Sequence, residues 1–212
     1  KDKISNYIFT GKVIESEGDV NIFPSWSPNS DLFAFLSNRN NESFFQTDLY
    51  IYQLEDSTTT LISPGVRTAA TWQNDYILIY SKLSEPNSVG SIYFDIYQYN
   101  LIEDKEKRLT YNARLISPIF IPELNKIAAI TSYDGTSNIM ISDIDEINFI
   151  QITNYDDGSY ISSVNLIDNM LVFDLIDNHG KDIFNLVIAT IFIKPVNTSC
   201  IKIKRDNGIY AL

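Results

Sequence analysis

A four-strand pattern that returns at nearly constant spacing constrains this 212-residue chain more than any other feature of it. Its fullest copy covers residues 23–56, FPSWSPNSDLFAFLSNRNNESFFQTDLYIYQLED. Phe23-Pro24-Ser25-Trp26 reads as a short strand ending in a large aromatic. Ser27-Pro28-Asn29-Ser30-Asp31 is turn chemistry, since proline presets φ and Asn and Asp can bond their own backbone. LFAFL (32–36) is apolar throughout, as a strand covered on both faces must be. DLYIYQL (48–54) and TTTLI (58–62) supply a third and a fourth strand.

The pattern then repeats. First-strand anchors stand at Trp26, Trp72, Phe120 and Asn165, steps of 46, 48 and 45 residues. The second strands are LFAFL (32–36), YILIY (76–80), KIAAI (126–130) and MLVFDL (170–175), and the third strands begin at Asp48, Asp95, Asn138 and Asp182. The fourth strands are TTTLI, KRLTY from Lys107, FIQIT from Phe149 and CIKIK from Cys200. A sheet of four short strands cannot cover its own faces, so such units stack around an axis as propeller blades. The expectation is an all-β fold in a single domain, 1–212. It is a β-propeller of four-stranded antiparallel blades, approximately 19–62, 66–111, 114–154 and 159–204. The end segments, 1–20 and the stretch beyond Ile188, either complete the ring or belong to a partial fifth blade.

The loops single out one rim. The link between strands two and three is long in blade one (38–47, with Phe44-Phe45) and in blade two (82–93, with Glu85-Pro86-Asn87), and short in the other two. The adjacent rings Phe44 and Phe45 admit two readings: one packs down on its blade, or both project to a partner. With Glu85 and Asn87 they form the candidate partner-binding set. Trp26 and Trp72 are expected to pack between blades, and the run IEDKEKR (102–108) to be a solvated turn.

Enzymatic chemistry is hard to build from these residues. His179 is the only histidine and sits in a turn, Asp177-Asn178-His179-Gly180, so a nucleophile–histidine pair has one candidate and no context. No nucleophile elbow, phosphate loop or dinucleotide fingerprint occurs. One His and one Cys cannot alone hold zinc, and the acidic turns SYDGTSN and NYDDGS lack calcium-loop spacing. Asp48, Asp95 and Asp182 recur at one blade position, which suggests a structural task rather than catalysis. No cofactor and no metal are expected.

Composition narrows the partners. Sixteen Lys plus Arg against 27 Asp plus Glu give a net charge of −11, which repels phosphate backbones and anionic headgroups, so no nucleic-acid partner is expected. Cys200 is the single cysteine, so no internal disulfide can form. No apolar run approaches the length of a bilayer span, so no membrane insertion is expected. The opening KDKISNY lacks an initiator Met and a signal-like segment, as a mature or trimmed form would.

The wording PSWSPNSDLFAFLSN followed by DLYIYQLED resembles the TolB-type, WD40-like (PD40) propeller repeat. Asn29-Ser30 stands where that repeat carries Asp-Gly, blade two keeps Trp72 but not the Ser-Pro turn, and blade four keeps only the strand pattern. The resemblance implies an extracytoplasmic setting, periplasmic or cell-envelope, and a non-enzymatic scaffold with a protein partner. Similar repeats also form the gating propellers of prolyl-oligopeptidase-like peptidases, and a carbohydrate-binding or glycosidase propeller is a third reading.

Overall fold

Each repeat becomes one antiparallel sheet in the computed structural model, which describes residues 20–168, 170–187 and the backbone of 201–202. Blade one is β1 (Asn21–Trp26), β2 (Leu32–Ser37), β3 (Asp48–Gln53) and β4 (Thr59–Ser63), and blade two is β5 (Thr71–Asn74), β6 (Ile77–Leu83), β7 (Phe94–Asn100) and β8 (Lys105–Arg108). Blade three is β9 (Leu115–Ile121), β10 (Lys126–Tyr133), β11 (Thr136–Asp143) and β12 (Ile150–Gln151). Blade four is β13 (Tyr160–Ile167), β14 (Met170–Asp177), β15 (Gly180–Val187) and β16 (Ile201–Lys202). Within each blade the strands lie in sequence order, and the four blades form a β-propeller.

Strand alternation explains how the blades stack, because neighbouring residues of a strand point to opposite faces. In β2 and β3, Ala34, Leu36, Leu49 and Ile51 meet Leu78 and Tyr80 of blade two. Ile79 and Ile96 on the other face of blade two meet Ile127 and Ala129 of blade three. Ala128, Ile130, Ile139 and Ile141 then meet Leu171 and Phe173 of blade four. A central strand between two neighbours therefore carries an unbroken apolar stretch, ILIY in β6 and IAAI in β10. Each such buried aliphatic or aromatic side chain contributes about 1.5–3 kcal/mol.

The innermost strands are bulged. The ladder slips between Ile22 and Ser25 in β1, between Ile116 and Ile119 in β9, and between Ile161 and Val164 in β13. Phe23 and Ser117, each before a proline, take φ of 55° and 51°. A bulge is where a strand tolerates proline, because the missing N–H has no ladder partner to satisfy. The bulges present Phe23-Pro24, Ser117-Pro118 and Ser162-Ser163 to the centre of the propeller, where all six residues line one cavity.

Of the recurring third-strand acids Asp48, Asp95 and Asp182, the first two have the structural task their recurrence suggested, and Asn138 shares it. Asp48 Oδ1 accepts the Gly65 N–H at 2.9 Å. Asp95 accepts the N–H groups of Asn112 and Ala113, and Asn138 Oδ1 accepts that of Tyr155. In each case the side chain ties a third strand to the connection leading into the next blade.

Two expectations fail. Trp72 is buried between blades and donates its indole N–H to the Ser25 carbonyl at 2.9 Å, but Trp26 is 53% exposed. Trp26 pairs with Phe33 on the face of blade one turned away from blade two, where no described blade covers it. Of IEDKEKR, residues Lys105–Arg108 are strand β8, paired with β7, and only the start of the run is a turn. The expected end strands and partial fifth blade lie outside the described residues, apart from 201–202.

Candidate functional site

Two regions carry side chains that the fold itself does not consume: one rim of the propeller and its central cavity. The rim is formed by the links between strands two and three of each blade and the connections from one blade to the next. Phe44 and Phe45 stand there 55% and 84% exposed. Their rings pack edge-on against each other, centroids 5.4 Å apart, and the reading in which one ring packs down on its blade is not realised. The loop beneath them is held by polar bonds, Asn41 Nδ2 to Asp48 Oδ2 at 2.9 Å and Gln46 N to Ser43 O at 3.1 Å.

On blade two the long link is organised by Asn87. Its Oδ1 accepts the N–H groups of Val89 and Ser91, and its own N–H donates to the Ser91 carbonyl. Asn87 thus shapes the loop, while Val89 at its tip is 81% exposed and Glu85 is exposed beside it. The candidate residues from the sequence therefore share one rim on neighbouring blades, with Asn87 in a supporting part.

Sequence reasoning missed the arginines. Of the four arginines among the described residues, Arg39, Arg108 and Arg114 end or follow second or fourth strands and sit on this same rim, while Arg67, after β4, lines the central cavity. Arg39 stacks over Phe35 and Tyr50, and Arg108 lies over Tyr111 while pairing with Asp95 at 2.6 Å. Arg114 lies over Tyr93, 4.7 Å from the ring centre, and over Tyr133 of blade three at 5.5 Å. Hydrogen bonds from Ser91 and then Arg114 hold the Tyr93 phenol below its usual range. Exposed aromatics interleaved with arginine are the composition that protein interfaces favour.

The central cavity measures about 700 Å³ and is walled by the innermost strands of all four blades. Its surface is mainly apolar, with Phe23, Ile116, Phe120 and Leu166 among the wall residues. Among the described residues, Arg67 is the one charged side chain on the wall, and no carboxylate or histidine lines it.

A polar cluster lies between blades one and two. Glu106 accepts hydrogen bonds from Tyr80 Oη at 2.5 Å, from Ser63 Oγ at 2.8 Å and from Lys82 Nζ at 2.7 and 2.8 Å. Burial raises the carboxyl, but the bonds from Lys82, Tyr80 and Ser63 outweigh it and hold Glu106 below its usual range. Burial first, and then the neighbouring carboxylate, push the fully buried Tyr80 phenol far above its usual range. Every member of the cluster has a partner, which marks a seam between blades rather than a group waiting for substrate.

On blade four, Asp174 is bonded by Ser162, Ser163 and Lys181, which hold its carboxyl well below the usual range against the opposing effect of burial. His179 is exposed in its turn. Among the described residues no group of three or more His, Cys, Asp or Glu side chains is placed to hold a metal ion. Nor is any helix there long and apolar enough to cross a membrane.

No protein-family model matches the chain, and no curated protein matches it. Solved structures do. A protein described as TolB from Agrobacterium tumefaciens superposes with a TM-score of 0.65 at 17% identity, over 82% of this chain and 64% of that one. A puromycin-hydrolyzing peptidase from Mycobacterium tuberculosis gives 0.64 at 11% identity, over 87% of this chain and 31% of the other. An oligogalacturonate lyase from Vibrio parahaemolyticus gives 0.62 at 12%, over 84% and 53%. The chain thus spans less than two thirds of each, and at such identities the likeness shows the propeller fold.

Proposed function

We propose that this chain is a non-enzymatic propeller scaffold that binds a protein partner through the rim bearing Phe44, Phe45 and Val89. The observation that carries the reading is the set of large apolar side chains on the two long loops of adjacent blades, held out by loops that are internally hydrogen-bonded. Two aromatic rings that contact mainly each other gain most of their burial only when something covers them. The superposition on a protein described as TolB supports an envelope setting and membership of a larger assembly.

The test is site-specific photocrosslinking in the native host, with the crosslinker at Phe45, at Val89 and, as control, at Ile102 on the opposite rim. One shared adduct from 45 and 89 that is absent from 102, and lost in Phe44→Ser/Phe45→Ser, is the expected result. Equal adducts from all three positions would remove the rim from consideration. Fractionation of the same cells reads localisation directly.

A second reading is favoured by one observation, the superposition on a peptidase of which this chain would be 31%. In that reading the propeller screens access to a catalytic domain elsewhere in a longer polypeptide. The mass of the native protein captured from its host separates the two: near 24.2 kDa it leaves a small scaffold, and a much greater mass with peptidase activity supports the gate.

A further inference from the structure

The central cavity gathers polar groups that the fold leaves unused. Most hydroxyls on its wall are spent. Thr68 accepts the Ser117 N–H, Thr71 accepts the Phe120 N–H, and Ser162 and Ser163 donate to Asp174. The Tyr160 hydroxyl is not, and neither are four further groups. Arg67 makes no ion pair or hydrogen bond to another described residue, and neither do the Ser25 and Ser117 hydroxyls or the Asn165 amide. They come from different blades, one each from β1, the β4–β5 connection, β9 and β13. An apolar hollow with a few convergent polar groups is how small-molecule and peptide-end sites are built.

The charge pattern selects the ligand class. In a chain of net charge −11, the wall formed by the described residues carries a guanidinium and no carboxylate to neutralise it. A guanidinium presents a planar fork of donors that matches a carboxylate with two parallel bonds. The two hydroxyls and the amide can donate to the same oxygens, and Phe23, Ile116, Tyr160 and Leu166 offer apolar wall to whatever is attached.

We infer that the cavity binds a carboxylate borne on an apolar body, with Arg67 as its anchor and Ser25, Ser117 and Asn165 as orienting groups. Two sources share that chemistry: the C-terminus of a peptide ending in apolar residues, and a free aromatic or aliphatic acid. The cavity is distinct from the loop rim, so the inference does not depend on the rim being an interface.

The molecule contains its own reporter. The Trp72 indole donates to the carbonyl of Ser25, a wall residue, so Trp26→Phe leaves Trp72 as the single tryptophan, beside the site. The full chain with Trp26→Phe is titrated with N-acetyl-Ala-Leu-Phe bearing a free carboxyl, with its C-terminal amide, and with 4-phenylbutyrate. The expected result is a saturable change with at least one acid, weakened at least about tenfold in the amide or in Arg67→Gln, as loss of a charged bidentate contact implies. Arg67→Lys should recover part of it, and Arg114→Gln, on the rim, should change nothing. Response to the peptide identifies a chain terminus as the ligand, and response to 4-phenylbutyrate alone identifies a free acid. No saturable response to either acid, or equal affinity for acid and amide, overturns the inference, as does an unaltered titration in Arg67→Gln. Phe45→Ser leaves this titration unchanged, so its outcome is read separately from that of the rim.

Discussion

The seam between blades three and four and the seam between blades one and two serve the same purpose by different means. Between three and four, Ile130, Ile139 and Ile141 meet Leu171 and Phe173, with the Phe173 and Phe184 rings stacked at 5.9 Å. The directional bonds there run to the connecting segment, from Gly158 N–H to Thr136 Oγ1 and from Ser137 N–H to the Ser159 carbonyl, while the facing strands meet through apolar packing. Between one and two, an apolar core of Leu36, Leu49 and Leu78 is continued outward by Ser63, Tyr80, Lys82 and Glu106. The Lys82 ammonium, in addition, lies 4.7 Å above the Tyr97 ring. An apolar seam is tolerant of conditions and intolerant of lost volume. A polar seam specifies register, because its bonds form in one alignment only, and it depends on protonation.

The difference predicts opposite responses. Phe173→Ala, at a site 1% exposed, leaves a cavity between blades three and four and should cost about 3–5 kcal/mol. Urea unfolding reads this as a lower midpoint, independent of pH across the neutral range. A loss below about 1 kcal/mol would mean that this seam can collapse around the gap and is not the rigid one.

Removing the acid from the polar seam should cost less. Glu106→Ala strands Lys82 and the buried Tyr80 hydroxyl, and about 2 kcal/mol is expected, tempered because the Glu106 side chain is 31% exposed. Replacing both charges together, Lys82→Met with Glu106→Leu in a Tyr80→Phe background so that the buried Tyr80 hydroxyl is not stranded, should fall within about 1 kcal/mol of Tyr80→Phe alone, because desolvating the pair offsets most of what the pair contributes. If this variant falls as far below Tyr80→Phe as Glu106→Ala falls below wild type, the cluster stabilises the fold outright instead of specifying its register.

Protonation sharpens the contrast further. The Glu106 carboxyl is held below the usual 4.5 in the folded chain, so the folded state binds fewer protons than the unfolded one. Its contribution is complete above that value and is lost as pH falls through the lower folded one. The stability gap between wild type and Glu106→Gln should be constant near neutrality and close below about pH 4.5. Asp174 on blade four also titrates low, but it is present in both proteins and cancels from the difference. A gap that stays open in acid would mean the glutamine bonds differently, not that a charge was lost.

The two seams were not equally legible in the sequence. KIAAI announces a central strand covered on both faces, and β10 is buried from Ile127 to Ile130; MLVFDL becomes β14, whose residues alternate between buried and half-buried. The recurrence of Asp48, Asp95 and Asp182 pointed to a structural task, and at Asp48 and Asp95 that task is a bond to the blade connection, which Asn138 makes in blade three. KEKR gave no such signal. An outer strand is solvent-facing on one side, and what makes it a strand is pairing with β7, with Glu106 reaching a lysine 24 residues away. The cavity was hidden further still, since Ser25, Arg67, Ser117 and Asn165 lie in four separate segments, and the bulges at Phe23-Pro24 and Ser117-Pro118 that turn the two serines to the centre carry no signal in the strand pattern. One clue was visible: Asn165 is polar at the anchor position where the preceding blades place an aromatic.

The smallest expected effect separates the members of the polar seam. Tyr80→Phe removes one hydroxyl and keeps the ring, which stacks with Tyr97 at 6.3 Å. Glu106 loses a single donor and keeps Ser63 and both bonds from Lys82. The phenylalanine leaves no buried donor behind, so the change should cost about 1 kcal/mol, the net contribution of one hydrogen bond, and about half of what Glu106→Ala costs. It should also raise the Glu106 carboxyl slightly, because one of the bonds that favours the ionised form is gone. The acid limb of the stability curve should then begin at higher pH than in wild type. A loss equal to that of Glu106→Ala would assign the seam to the tyrosine hydroxyl instead, with the lysine–glutamate pair contributing little beyond holding it in place.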